Sequence, residues 1–103
     1  MTYTEIPDIT LKMIIKVGII KIGTKVYSSP DYMVTGTLDK NGAITFEINN
    51  EIKTFPFPSG AAREITKKNI NGWKFWKINE NEKYHDLCYY KERYKLEYEN
   101  IID

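Results

Sequence analysis

Residues 55–76 read FPFPSGAAREITKKNINGWKFW, and this block decides the fold because it ends a sheet, starts a helix and brings the chain back through two tryptophans. Pro56 and Pro58 cannot donate a ladder hydrogen bond, so the strand before them stops at Phe55. Pro58 or Ser59 opens a helix expected to run to about Lys68, with Ala61, Ala62 and Ile65 facing inward. Arg63 and Lys67 are expected one turn apart on its outer side, with Lys68 at the C-terminal end, where positive charge complements the helix dipole. Asn71-Gly72 supplies a tight turn, and Trp73–Ile78 is read as a strand. Alternation would then point Trp73 and Phe75 one way and Lys74 and Trp76 the other. One tryptophan therefore belongs to the core, and the other covers a second element or is left for stacking.

Upstream, Asp8 or Thr10 caps a helix running to about Val17, with Leu11, Ile14, Ile15 and Val17 on its apolar side and Gly18 as a left-handed stop. Met1–Pro7 reads as a short arm. After Gly23 the period becomes alternating. Val26 and Tyr27 lie in a first strand, Ser28-Ser29-Pro30-Asp31 has turn chemistry, and Tyr32, Val34, Gly36 and Leu38 line one face of a second. Asp39-Lys40-Asn41-Gly42 is the next turn, after which Ile44, Phe46 and Ile48 alternate with Thr45 and Glu47. Asn49-Asn50 tolerates positive φ and returns the chain through Ile52. Three turns imply about four antiparallel strands. Asn79–Lys83 is a polar loop. From Tyr84 to about Asn100, Leu87, Tyr94, Tyr98 and Ile101 recur at helical spacing, giving a final amphipathic helix. The expected class is α+β: a small antiparallel sheet with an N-terminal, a central and a C-terminal helix, in one domain spanning 1–103.

The chain has 103 residues and 42% hydrophobic content, enough for one core without a disulfide, which the single Cys88 could not form internally. Asp86 and Glu92 near that thiol disfavour the thiolate, so a nucleophilic role is not expected. The first apolar stretch is broken by Lys12, Lys16 and Lys21 and is too short to span a bilayer, so a soluble, intracellular protein with no membrane partner is expected. Formal charge is +1, unevenly placed: eleven Lys or Arg against seven Asp or Glu up to Lys77, +4, and four against seven from Ile78, −3. That asymmetry is weaker than the footprint of a typical nucleic-acid-binding domain.

Pro58, Ser59, Ala61 and Ala62, then Ile65-Thr66, then Asn71-Gly72-Trp73 and Phe75-Trp76 fall in the order and spacing of a known signature. The segment resembles the RAMA domain, the module associated with restriction enzymes and adenine methylases, and related small domains of unknown function. In these a helix opening Ser-Pro-Ser-Ala-Ala-Ala is followed by an Asn-Gly-Trp turn and Phe-Trp. Val17–Tyr27 is similar to the family's Gly-Leu-Leu-Lys-Pro-Gly entry into its first strand, and the likeness spans about Leu11 to Ile78. Phe57 stands where the family has its first Ser, Gly60 where it has Ala, and Ile22 where it often has Pro. The first two weaken the helix start by up to about 1 kcal/mol each. The resemblance implies an accessory module that helps nucleases, methylases or related proteins engage DNA, with recognition of N6-methyladenine suggested for some members.

No endonuclease carboxylate-lysine set, methyl-donor loop or metal-ligand spacing accompanies this block, and no cofactor is expected. His85 beside Asp86 is the one obvious acid-base pair, and adjacent residues rarely face one another. The expected function is thus non-catalytic DNA binding. Arg63, Lys67, Lys68, Lys74 and Lys77 would meet phosphates, Asn69 and Asn71 would hydrogen-bond at phosphate or base edges, and Trp73 or Trp76 would stack on an exposed base. The alternative is a protein-interaction or scaffold subunit of a viral, mobile-element or DNA-packaging assembly, with partner binding or self-association through the acidic, tyrosine-rich C-terminal helix.

Overall fold

The computed structural model describes residues 9–99. The Thr10 hydroxyl accepts the Met13 N–H at 3.2 Å and caps helix α1 (Leu11–Lys16), which buries Leu11, Ile14 and Ile15. Val17, expected on the apolar side, is instead the exposed C-cap, and Gly18 follows at φ +88° as the left-handed stop.

Strands β1 (Lys25–Tyr27), β2 (Thr35–Leu38), β3 (Ile44–Ile48) and β4 (Glu51–Phe55) then pair antiparallel in sequence order. The β2–β3 turn is built by Asp39, whose Oδ1 accepts the Asn41 and Ala43 N–H groups at 2.8 and 3.0 Å. Asn49 and Asn50 have φ of 53° and 64°, as a two-residue hairpin matched to strand twist requires. The β1–β2 connection is longer than expected. Ser28 accepts the Tyr32 N–H on its carbonyl and the Val34 N–H on its hydroxyl, so Tyr32 sits in the loop at φ 59° and β2 starts only at Thr35.

Among the described residues the sheet has six strands where about four were expected. Strands β5 (Lys77–Glu80) and β6 (Lys83–Asp86) form a further hairpin across Asn81 and Glu82, both at positive φ, so the presumed polar loop is a tight turn. β5 docks antiparallel on β1, giving the order β4-β3-β2-β1-β5-β6. Helix α4 (Leu87–Tyr94) begins after Asp86, whose Oδ1 caps the Tyr89 N–H at 3.1 Å, so the last helix starts at Leu87 and Tyr84 belongs to β6. It continues as a π-helical turn, Lys95–Glu99. The expected arm Met1–Pro7, Asp8, and the helix end at Asn100 and Ile101 lie outside the described residues.

Helices α2 (Pro58–Thr66) and α3 (Gly72–Phe75) pack with α1 and α4 on one face of the sheet. Val26, Leu38, Ile44, Phe46 and Ile78 project there and are buried with Ala61, Ala62, Leu87 and Tyr90. Lys53 and Glu80 turn to the same face and are met by helix side chains. Lys53 Nζ lies 2.7 Å from Glu64 Oε2, and Tyr90 Oη donates to Glu80 at 2.8 Å. The other face carries a cross-strand row of Lys25, Thr37, Thr45 and Thr54, exposed or half-buried, with the last two hydroxyls 2.8 Å apart.

Candidate nucleic-acid interface

The block that decided the fold is stitched together across its own ends. The buried Trp76 indole N–H donates to the Pro58 carbonyl at 3.1 Å, and the Gly72 N–H donates to Ser59 Oγ at 2.9 Å. Gly72 has an ordinary φ, so it is not a glycine of conformational need. A Cβ there would sit 2.1 Å from the Pro58 carbonyl carbon and 2.3 Å from its oxygen, closer than atoms can approach. The glycine allows α3 to lie directly on the first turn of α2.

Trp73–Trp76 is therefore not a strand. Asn71 Oδ1 accepts the Trp73 N–H at 3.0 Å and its carbonyl accepts the Lys74 and Phe75 N–H groups, which nucleates the short helix α3. Helical rather than alternating geometry buries Phe75 and Trp76 side by side, with their rings edge-on at 5.1 Å. Trp73 is half-buried, and the Lys91 ammonium stands 4.8 Å from its ring centroid. One tryptophan is core and the other covers a neighbouring element, as expected.

Phe57 is the N-cap of α2 and forms no side-chain cap bond. The helix ends at Thr66, two residues before the expected Lys68, because Lys67 adopts a left-handed conformation at φ 61°. This separates the two cations expected to align. Arg63 is four residues from Ser59 and so stands on the α3 side of α2, whereas Lys67 Nζ lies 3.9 Å from Glu64 on the β4 side. The Lys53 hydrogen bond raises that lysine's pKa and lowers that of Glu64.

Between the two helices runs Lys67–Asn71, wholly exposed and pinned at both ends. Lys67 N–H donates to the Arg63 carbonyl at 2.7 Å and Lys68 N–H to Thr66 Oγ1 at 3.1 Å, while Asn71 is tied into α3. The Asn71 oxygen is thus committed, and its amide NH2 is the group free to donate. Of the predicted contact residues, Arg63, Lys67, Lys68, Asn69, Asn71 and Lys74 are exposed and Trp73 half-exposed. Trp76 is 0% exposed and leaves the set, since a ring sealed in the core cannot stack on a base. Lys77 leaves it too. Its neighbours Trp76 and Ile78 face the core, and its own register partner is Tyr27 on the open side of the sheet. Sequence reasoning also missed a cleft of about 450 Å³ bounded by Phe57, Trp73, Leu11 and Asn41, which brings residues far apart in the chain together.

His85 stacks on Tyr89 at 4.0 Å while the Asp86 carboxylate caps α4, so the adjacent pair is occupied separately. Burial, reinforced by Asp86, pushes the Cys88 thiol up, the direction expected from its neighbours. Burial and the hydrogen bond to Glu80 push the Tyr90 phenol far above its ordinary value. Among the described residues no group of three or more His, Cys, Asp and Glu side chains could hold a metal, and no helix is long and apolar enough to cross a membrane.

A two-layer α+β sheet whose second and third helices are locked through a Pro-Ser/Asn-Gly-Trp corner defines the class. The chain matches the family model described as Restriction Enzyme Adenine Methylase Associated, RAMA, over residues 3–99, and it belongs to that family. The match runs past the signature block through the β5–β6 hairpin and α4. The family's description is that of a domain associated with restriction enzymes and adenine methylases. No curated protein matches the chain.

Proposed function

We propose that this protein is a non-catalytic, intracellular DNA-binding accessory module working beside a restriction or methylation system. The observation that carries this reading is the exposed Lys67–Asn71 loop, held at both ends and flanked by Arg63 and Lys74. Arg63, Lys67, Lys68 and Lys74 neutralise phosphates, while Asn69 and the Asn71 amide donate to phosphate oxygens or base edges. Pinning lowers the ordering cost of these contacts, and family membership supplies the DNA context. Sensing of N6-methyladenine is the finer form of the same reading. Titration of a labelled duplex, with and without methylated adenine, tests both forms. Four phosphate contacts give log affinity against log salt a slope of about −4. Binding that ignores salt, or none at high micromolar protein, sinks the proposal.

A protein-interaction role has its own support in the C-terminal helix. Leu96 is 66% exposed, with Tyr89 and Tyr98 also exposed nearby in sequence. This surface suits a protein partner or a second copy in a larger assembly. Light scattering at high concentration and pulldown test it: a strict monomer that recovers no partner ends this second reading.

A further inference from the structure

The cleft beside α3 has a chemistry that the exposed loop lacks. It holds about 450 Å³, within the range of ligand pockets, and is walled by Pro56, Phe57, Pro58, Ile9, Leu11 and Trp73. Phe57 is 66% exposed although it is a large aromatic with no capping bond to make. Among the described residues the polar lining is Thr10, Lys12, Asn41 and Ser59, and none that lines the cleft is Asp or Glu. Ser59 Oγ already accepts the Gly72 N–H, which leaves its hydroxyl proton to donate. The N–H groups of Ser59 and Gly60 open α2 without an intrahelical partner or a side-chain cap, giving that end partial positive charge. Aromatic walls, hydroxyl and amide groups, one lysine and a positive helix start suit a planar ring carrying a nearby negative charge.

We propose that this cleft receives one base unstacked from a DNA strand, with Phe57 and Trp73 as its apolar contacts, Asn41 and Ser59 at its polar edge, and Lys12 on the adjoining phosphate. The inference rests on the DNA-binding reading, because Trp73 belongs both to the cleft and to the helix that ends the exposed loop. A base already unpaired costs least to bring into such a site.

The test compares three ligands for the full chain at one salt concentration: a fully paired duplex, the same duplex with a single unpaired adenine, and free deoxyadenosine monophosphate. The unpaired-base duplex is expected to bind about tenfold more tightly than the paired one, one base–aromatic stack's worth. Phe57→Ala is expected to abolish that preference while leaving paired-duplex affinity unchanged. Its exposed side chain makes the fold insensitive to the change, and circular dichroism checks this. Lys12→Ala is expected to weaken the unpaired-base complex and reduce its salt slope by about one. Salt-dependent binding of the paired duplex without any preference for the unpaired base overturns the cleft proposal alone. So does a preference that survives both substitutions, or monophosphate binding as tight as the unpaired-base duplex. Failure to bind the paired duplex at all overturns the DNA-binding reading as well.

Discussion

Two halves of the same block, separated by only a few residues, behave in opposite ways. Pro58, Ser59, Gly72 and Trp76 are buried or half-buried and spend their polar groups on one another, whereas Lys67, Lys68, Asn69, Asn71 and Lys74 face solvent. The recognisable pattern marks where two backbones touch. The exposed cations and amides hang from the loop between those touching points. A signature can therefore identify a family through its architecture while most of the proposed DNA contacts, Arg63, Lys67, Lys68, Asn69 and Lys74, stand outside it.

The largest expected effect is at the centre of the locked half. Trp76→Ala removes the largest of the fully buried side chains and deprives the Pro58 carbonyl of its indole donor. It is expected to cost about 4 kcal/mol in denaturant unfolding. Gly72→Ala should follow at about 3 kcal/mol, because the new methyl collides with rigid backbone. Ser59→Ala, which strips the acceptor from a buried N–H, is expected to cost about 1–2 kcal/mol. A near-neutral result for any of these three would mean that the corner is slack, and the contrast would fail. In the exposed half the signs separate. Lys68→Ala with Lys74→Ala should alter stability by no more than about 0.5 kcal/mol while lowering the salt slope of duplex binding by about 2. Unfolding by that pair would place both lysines on the structural side of the comparison.

The smallest effect lies on the flank of the loop. Glu64 has its pKa lowered by its hydrogen bond to Lys53, so its stabilisation is present above the ordinary carboxylate value. It fades as pH falls through the depressed one. Glu64→Gln is expected to flatten the acid limb of the stability curve and leave the neutral region little changed, as expected of a solvent-screened pair.

Much of the architecture was legible because local chemistry and tertiary need agreed. Asp39–Gly42 and Asn49-Asn50 are turns on their own account, and Ile44, Phe46 and Ile48 alternate because one face of β3 is buried. The β5–β6 hairpin was hidden for the opposite reason. Lys77-Ile78-Asn79-Glu80 offers a single apolar residue, since the core-facing Glu80 is satisfied by Tyr90 and lies 3.6 Å from Arg93 of α4. Only the folded helix makes that position look like a strand interior. Trp73–Trp76 misled because its aromatic content suits a strand, yet Asn71 next to it is a cap. The glycine after it spells half of a tight turn, while its actual requirement is the proximity of Pro58, which no local rule reveals. Exposure of Lys68, Asn69 and Lys74 followed from their chemistry. The divergence of Arg63 from Lys67 and the burial of Trp76 required the helix to end where it does.

Lys53 gives the sheet a property beyond its tie to Glu64. It lies on β4, an outermost strand, and its ammonium turns towards the protein's interior side. Any chain attempting to lengthen the sheet past that border and continue its hydrophobic layer would have to desolvate this charge, a penalty that discourages fibrillar growth. The same residue that fastens a helix to the sheet thus also guards the β4 border of the array against a further strand.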